Sequence, residues 1–321
     1  MAEPRTLREG LVVSSHGRHS VIETTDGSRH ICHPRGKKNQ TVVGDRVQWQ
    51  LPPAGQGEEG SIEKLLPRRN LFYRQDEVRT KSFAANIDQV LILIAAEPVF
   101  SESQLARALI AAEAAHIKPL IALNKSDLSQ AFAQAWQRLG PYREMCLDQS
   151  TEAHYEVLPL SLTRDGEADK ALLMQHLKGK ATLVLGPSGS GKSTLINLLI
   201  PGAAAATGEI SQALNSGKHT TTTTSWYWVG EERQTALIDS PGFQEFGLRH
   251  LQPADLARCM PDIGAHAQDC KFYNCTHLHE PGCAVMPHVA VEGLDAQHTI
   301  SAHRYRIYGE LFDELSQSPR Y

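Results

Sequence analysis

The chain has 321 residues, 41% of them hydrophobic, and a formal net charge of −4. This length allows two or three domains with real hydrophobic cores. No apolar run approaches the eighteen residues that a membrane-spanning helix needs, so we expect a cytoplasmic protein with no membrane partner. Six cysteines are too few for a disulfide scaffold in a chain of this size.

Charge is unevenly distributed along the chain. Residues 1–80 contain 13 Lys and Arg against 10 Asp and Glu, whereas residues 251–321 contain 5 against 9. The modest basic excess of the first segment is compatible with a nucleic-acid contact by one domain. It argues against a protein that simply coats RNA through bulk charge.

Short β-branched runs alternate with turn signals in the first seventy residues. Five runs have the composition of strands, and they cover residues 11–13, 20–23, 30–32, 46–49 and 61–63. Five short strands at this spacing predict a small β-barrel. An OB-fold fits the pattern, and an SH3-like barrel is the alternative.

From Ile87 onward the pattern changes to apolar runs separated by helical segments. Strands are predicted at residues 90–94, 120–123, 156–160 and 182–185, and the first two have the composition of strands buried on both faces. Helices are predicted over residues 101–116, 128–139 and 301–315. Alternating strands and helices predict an α/β domain with a parallel sheet.

The tetrapeptide Asn124-Lys125-Ser126-Asp127 follows the strand predicted at 120–123. The Asp127 carboxylate can accept hydrogen bonds from the N1–H and 2-amino groups of guanine, whereas adenine offers no donors there. Asn124 either ties this loop to its neighbours or meets the purine edge, and the stem of Lys125 can lie over the base. The motif therefore predicts a guanine site.

A phosphate-binding loop follows the strand predicted at 182–185. Its glycines let backbone N–H groups cradle phosphate oxygens, while Lys192 reaches the β and γ phosphates and the Ser193 hydroxyl ligates Mg²⁺. The nucleotide-binding residues predicted here are Gly186, Pro187, Ser188, Gly189, Ser190, Gly191, Lys192, Ser193 and Thr194.

The guanine motif precedes the phosphate loop by about sixty residues, which is the reverse of the order in an ordinary GTPase. We therefore predict a circularly permuted GTPase. An ATP-dependent kinase that uses the same phosphate loop is disfavoured, because Asp127 selects guanine and the sequence shows no recognisable site for a phosphate acceptor.

Asp239 and Gly242 come directly after a strand predicted at 235–238. Asp239 would hold Mg²⁺ through water, and the Gly242 amide would approach the γ-phosphate. A threonine run at 220–224 stands between the phosphate loop and Asp239, where it predicts a switch loop with Thr221, or next Thr222, as a Mg²⁺ ligand. An edge strand or a solvated loop is the alternative.

Phe243 occupies the position at which small signalling GTPases have a glutamine that orients water. Its side chain cannot form hydrogen bonds, so slow unassisted hydrolysis is expected. A polar group must come from elsewhere, and His250 is the candidate along the chain, although a lone histidine can also be a structural residue. The predicted catalytic residues are thus Lys192, Thr221 and His250.

Three cysteines and a histidine lie within fourteen residues: Cys270, Cys275, His277 and Cys283. Three thiolates and one imidazole complete a tetrahedral set with no open position, so this spacing predicts one structural zinc ion per chain. His279 could replace His277 as a ligand.

The whole chain resembles the circularly permuted, ribosome-associated GTPases of the RsgA type. The likeness is carried by the zinc set and by residues 43–47, 124–127, 186–194, 219–222 and 239–243. In that family an OB-fold precedes a permuted GTPase domain and a C-terminal zinc-binding domain. The resemblance thus implies an OB-fold RNA-binding domain at 1–70, a GTPase domain at 71–250 and a zinc-binding domain at 251–321.

The resemblance also implies a function. It predicts a monomeric GTPase that binds GTP or GDP, acts late in maturation of the small ribosomal subunit, contacts its rRNA, is stimulated by the subunit and leaves after hydrolysis. The family's hydrolysis-assisting histidine falls at His250. Its base-contacting Ser-Ala pair appears here as Ser161-Leu162. A nucleotide-sensing checkpoint protein whose turnover is incidental is the alternative.

Overall fold

The computed structural model describes residues 7–35, 41–52, 57, 59–77, 80–147, 152–203, 224–242, 246–290 and 300–317. The predicted magnesium ligand Thr221, its alternative Thr222, and Phe243 lie outside these residues. Within the described part of the chain, no helix is both long enough and apolar enough to cross a lipid bilayer.

The first five strands form a closed barrel. They are β1 (Arg8–His16), β2 (His19–Glu23), β3 (Arg29–Pro34), β4 (Arg46–Gln50) and β5 (Gly60–Leu65). Neighbouring strands follow the order β1-β2-β3-β5-β4, and pairing of β4 with β1 closes the ring. Only β3 and β5 run parallel to each other. This five-stranded barrel confirms the predicted OB-fold.

The interior of the barrel is filled by side chains that alternate along its strands. Its apolar core consists of Val12, Ile22, Cys32, Val47, Trp49 and Ile62. Gly10 lies where β1 crosses this core, and a Cβ atom at that position would lie 2.3 Å from Cγ2 of Ile22. The barrel therefore closes tightly only because β1 has no side chain at Gly10.

A two-stranded hairpin follows the barrel and was not predicted from the sequence. It consists of β6 (Leu71–Gln75) and β7 (Thr80–Ala85), which pair only with each other as a sheet. A bridge between Val43 and Ala84 joins it to the barrel. On the other side, Phe72 packs against Phe246 with ring centroids 5.8 Å apart. The hairpin thus lies between the barrel and the segment that contains Phe246.

The second domain is built on a parallel sheet, as predicted. Its parallel strands are β8 (Gln89–Ala95), β9 (Lys118–Asn124), β10 (Glu156–Pro159), β11 (Ala181–Leu185) and β13 (Thr235–Asp239). They lie in the order β10-β9-β8-β11-β13, and β12 (Ser225–Val229) pairs antiparallel with β13. Every residue of β8 is buried, as expected for a central strand covered on both faces.

Helices cover both faces of this sheet. They are α1 (Glu102–Ala114), α2 (Ser129–Arg138), α3 (Gly140–Arg143), α4 (Gly166–Leu177) and α5 (Lys192–Leu199). The predicted cap of α1 is present, since the Ser101 side chain accepts a hydrogen bond from the Gln104 amide. Leu109 of α1 packs in one core, and Leu173 of α4 packs in another.

The C-terminal region contains α6 (Pro261–Ala267) and α7 (Ala302–Ser316) around short turns. The latter helix matches the one predicted at 301–315. Arg304 of α7 is almost fully buried and donates two hydrogen bonds, of 2.6 and 2.7 Å, to the Asp262 carboxylate of α6. This bidentate ion pair anchors α7 to the rest of the region.

The barrel and the parallel sheet are joined edge to edge. Strand β12 pairs with β1 through Ser225 and Ser14. Beside this contact the Glu23 carboxylate, only 4% exposed, accepts hydrogen bonds from the Trp228 indole N–H at 2.6 Å and from Arg29 Nε at 2.9 Å. Glu23 therefore links barrel strands β2 and β3 to β12.

We expect the substitution Glu23→Ala to lower the free energy of unfolding by about 1–3 kcal/mol, because it leaves the partly buried Trp228 N–H without this acceptor and removes the ion pair with Arg29. Chemical denaturation followed by tryptophan fluorescence measures this loss. Glu9→Ala, at an exposed position of β1, is the control and should change little. Equal stability of both variants would contradict the account of this joint.

Candidate nucleotide site and metal centre

Three sequence-distant motifs meet at one edge of the parallel sheet. Asn124 ends β9, Gly186 follows β11 and Asp239 ends β13. Because these strands run parallel, their carboxyl ends lie on the same side, which is where open α/β sheets bind ligands. The order of the motifs along the chain does not affect this arrangement.

The loop between β11 and α5 has a conformation that requires glycine. Gly189 and Gly191 have φ angles of +81° and +101°, which disfavour any residue with a side chain. At Gly186 a Cβ atom would lie 2.6 Å from the Leu93 carbonyl oxygen. With α5 starting at Lys192, backbone N–H groups at its amino end favour an anion, so the loop fits a phosphate chain.

Asp239 and Gly242 lie beside this loop, as the sequence predicted for residues that sense the γ-phosphate. The Lys192 ammonium is 2.6 Å from Oδ1 of Asp239. A Cβ atom on Gly242 would lie 3.5 Å from the Gly186 carbonyl oxygen. Between them, the buried Ser240 hydroxyl donates to the Val184 carbonyl at 2.7 Å and fixes the segment to β11.

Asn124 connects the predicted guanine loop to the phosphate loop. Its Nδ2 donates to the Ser190 carbonyl at 3.0 Å, and its Oδ1 accepts from the Leu162 amide at 3.2 Å. A Cβ atom at Gly191 would lie 2.3 Å from this Nδ2. Of the two roles considered for Asn124, this structure has the one that ties the loops together.

The Asp127 carboxylate has a partner in the loop that follows β10. Ser161 Oγ donates a hydrogen bond to Asp127 Oδ1 at 2.9 Å, and the Ser126 amide donates to the Leu160 carbonyl at 2.9 Å. Lys125 Nζ donates to the Glu97 carbonyl at 2.5 Å. The predicted base-binding residues therefore form one cluster. Their contacts with guanine stay predictions.

His250 lies beside the β6–β7 hairpin. Its ring centroid is 4.4 Å from that of Tyr73 in β6, and the preceding Leu248 forms a bridge with Gln75. Burial lowers the pKa of His250, and its buried Nδ1 has no hydrogen-bond partner in the described part of the chain. These observations favour a neutral imidazole whose buried Nδ1 is unpaired. Its catalytic role stays a prediction.

The four predicted metal ligands come together in the C-terminal region. Their ligand atoms all lie within 4.8 Å of one another. His277 Nδ1 is 3.4 Å from Cys270 Sγ and 3.8 Å from Cys283 Sγ, and these two sulfur atoms are 4.0 Å apart. Tetrahedral ligands bound at about 2.3 Å would be about 3.8 Å apart. The cluster therefore fits a single metal ion.

Helix α7 supports the backbone of this cluster. Tyr305 and Tyr308 donate hydrogen bonds through their hydroxyl groups to the carbonyls of His277 and Thr276, at 2.5 and 2.8 Å. His277 is buried within the cluster, whereas His279 is exposed on its outside. The geometry therefore selects His277 between the two candidate histidines.

Comparison with known proteins identifies the family to which the chain belongs. The sequence profile of the family described as RsgA GTPase matches residues 65–249. A protein of Variovorax paradoxus named "Small ribosomal subunit biogenesis GTPase RsgA" is 68% identical over 314 residues, which cover 98% of this chain and 94% of that protein. The chain belongs to the RsgA GTPase family. It is therefore a GTP hydrolase.

Other relatives of the RsgA family agree with this membership. A protein of the same name from Paraburkholderia phytofirmans is 48% identical over 315 residues, and this alignment covers 97% of this chain and 94% of that protein. The crystal structure of YjeQ from Thermotoga maritima superimposes with a TM-score of 0.72 and 27% identity, and the match covers 98% of this chain and 100% of that chain. That of YloQ, described as a circularly permuted GTPase, has 25% identity and a TM-score of 0.68.

We expect protein purified without chelators to contain about one metal ion per chain, since the four ligands form a complete set. Cys275→Ala should lose this ion and destabilise the C-terminal region, while GDP affinity changes by less than about threefold because the phosphate loop lies elsewhere. Elemental analysis and equilibrium GDP binding measure the two effects. Cys32→Ala, in the core of the barrel, is the control and should keep the ion. A metal-free parent protein would refute the site.

Proposed function

We propose that this GTPase acts late in assembly of the small ribosomal subunit, binds its rRNA, and leaves the subunit after GTP hydrolysis. Its relatives carry the name "Small ribosomal subunit biogenesis GTPase". The observation that supports the proposal most is structural. The nucleotide motifs lie together at the carboxyl ends of the parallel strands. Elements next to these ends connect to an OB barrel on one side and to the region with the metal ligands on the other.

In this proposal the guanine base is read by the loops after β9 and β10, and the phosphates lie in the loop before α5. The base-binding residues are Asn124, Lys125, Ser126, Asp127 and Ser161, and the phosphate loop comprises residues 186–194. Mg²⁺ would be held by Ser193, Asp239 and Thr221, and it would neutralise charge on the phosphates. Support comes from the proximity of Lys192, Asp239 and Gly242 at one end of the site.

The metal of the C-terminal region is zinc in this account. Three thiolates and one imidazole suit Zn²⁺ best among common cellular metals, and four protein ligands leave no position for a substrate. The ion would therefore be structural. Its role is to fix the loop that carries the four ligands, residues 270–283.

An exposed face next to this metal centre has the chemistry of an RNA-binding surface. Tyr273 is fully exposed and Phe272 is 42% exposed. The ammonium of Lys271 lies 5.6 Å from the centroid of the Phe272 ring. Exposed aromatic rings beside a cation can stack on unpaired bases while the charge contacts phosphate. The OB barrel belongs to a fold class that binds oligonucleotides. The barrel and this exposed face would contact rRNA together.

Two arginines connect the segment after Gly242 with helix α7. Arg107 of α1 donates to the Phe246 carbonyl at 3.4 Å and to the Glu314 carboxylate at 3.0 Å. Arg249 donates to the carbonyls of Glu314 and Gln317 at 2.6 and 2.9 Å. A shift of the γ-phosphate-sensing segment would therefore move α7 and the metal centre that α7 supports. This coupling is the proposed basis of release.

On the opposite side, the barrel is coupled to the same site through β12. This strand begins at Ser225, directly after the threonine run that we propose as a switch, and it pairs with β1. It also pairs along its whole length with β13, which ends at Asp239. A nucleotide-dependent movement on either side of β12 would thus reach the barrel.

His250 is the proposed water-orienting group. Burial lowers its pKa, so the ring is neutral near pH 7 and can accept a proton or a hydrogen bond from water. Contact with Tyr73 holds the ring in place until the subunit binds. Because it lies beside the hairpin, its approach to the phosphates would depend on movement of the segment at 246–250.

We expect His250→Ala to lower the subunit-stimulated kcat for GTP about tenfold or more, or ~1.4 kcal/mol, while the KM changes little. The reason is that loss of a water-orienting group removes an interaction that is made only in the transition state. The measurement is the steady-state rate with and without purified small subunits at matched Mg²⁺.

His116→Asn, an exposed histidine at the end of α1, is the matched control and should keep the parent rate. An unchanged stimulated kcat in His250→Ala would make His250 a structural residue. If subunits do not stimulate the parent protein at all, the checkpoint alternative with incidental turnover is favoured over the proposed function.

A further inference from the structure

Asp169 is a buried acid whose position was not noted from the sequence. It lies in the first turn of α4 and is 7% exposed. Burial raises its pKa, and the nearby Asp165 acts in the same direction. A carboxylate is seldom placed where its charge is disfavoured unless it forms specific hydrogen bonds.

The partner of Asp169 lies outside its own helix. Asp169 Oδ2 accepts a hydrogen bond of 2.6 Å from the backbone amide of Ser161, eight residues earlier. The Ser161 carbonyl in turn accepts from the amides of Arg164 and Asp165, at 2.9 and 2.8 Å. The backbone of Ser161 is therefore held on both sides, and the bond to the carboxylate is of the strong, charge-assisted kind.

Ser161 transmits this constraint to the predicted guanine-reading group. Its hydroxyl donates its single proton to Oδ1 of Asp127 at 2.9 Å, and its side chain is buried. The plane of the Asp127 carboxylate is thereby oriented by a residue that Asp169 holds in place. Recognition of guanine needs two hydrogen bonds from the base to this one carboxylate, so its orientation affects both.

The geometry points to Asp169 as a positioning residue for guanine recognition, acting through Ser161 on the Asp127 carboxylate. This inference rests on the proposed function only in that Asp127 is taken to bind the base. It adds a member to the recognition site that contacts no nucleotide itself. Substrate specificity would then depend on helix α4 as well as on the loops.

The simpler role for an acid in the first turn of α4 is to stabilise the helix through its dipole. Two observations favour positioning. The Asp169 amide already bonds to the Asp165 carbonyl within the helix, whereas its carboxylate bonds to a residue before the helix. Glu167, exposed in the same turn, supplies the same dipole interaction without contacting Ser161 in the part of the chain described.

Competition between GDP and IDP for the isolated protein separates the two roles. IDP lacks the 2-amino group, so the ratio of its dissociation constant to that of GDP reports one of the two bonds to Asp127. Asp169→Ala should lower this ratio by about threefold or more, because a misoriented carboxylate loses the bond that IDP cannot make. Ser161→Ala should lower it similarly, and the double variant should lower it no further.

Two matched variants test for a purely structural effect. Glu167→Ala removes the exposed acid of the same turn, and Leu173→Val loosens the buried face of α4. Both should keep the parent ratio, although Leu173→Val lowers stability. If Asp169→Ala does not fold, Asp169→Asn retains an acceptor of the same shape without the charge, and an intermediate ratio is expected.

The ratio of dissociation constants is also measured for Asp127→Asn. This variant distinguishes an error in the role of Asp169 from an error in the assignment of Asp127 to the base site. If Asp127→Asn abolishes the preference for GDP while Asp169→Ala and Asp169→Asn keep the parent ratio, Asp169 is only structural and the inference is overturned. If Asp127→Asn also keeps the parent ratio, the base site itself is wrong and the inference falls with it. No ribosomal subunit is present, so the result is independent of the proposed partner.

Discussion

The common direction of the parallel strands is the constraint on which the nucleotide site depends. Because β9, β10, β11 and β13 run the same way, the loops after them emerge at one edge of the sheet. A permutation changes only which strand comes first, so the guanine motif can precede the phosphate loop without altering their geometry. The hydrogen bonds of Asn124 to Ser190 and Leu162 then fix the loops relative to one another.

What the permutation does change is the sequence neighbourhood of the switch segments. Strand β12 begins directly after the threonine segment and pairs with Ser14 of the barrel through its first residue, Ser225. The chain after Gly242 continues into the residues that Arg107 and Arg249 tie to α7. In both directions the segments that we propose to sense the nucleotide lead directly to a flanking region. A GTPase domain with this connectivity is suited to change the relative geometry of two binding modules.

Patterns of a few neighbouring residues predicted the elements that depend on interactions between residues close together in the chain. The strands of the barrel, the parallel sheet, the cap at Ser101 and the Cys270–Cys283 ligand set all follow from spacing or periodicity over a few residues. The β6–β7 hairpin was missed because polar residues such as Arg74 interrupt its apolar pattern. The pairing of β12 with β1 and the bond between Asp169 and Ser161 depend on tertiary placement, which no local pattern encodes.

The central claim is that nucleotide state reaches the C-terminal region through the contacts of Arg107 and Arg249 with α7. Its most direct test is sedimentation of an Arg249 variant with purified small subunits. The parent protein should bind subunits more tightly with a non-hydrolysable GTP analogue than with GDP. In Arg249→Ala this difference should shrink about fivefold or more, while GDP affinity is retained. Arg306→Ala, an exposed arginine of α7, should behave like the parent. An undiminished nucleotide effect in Arg249→Ala would contradict the account.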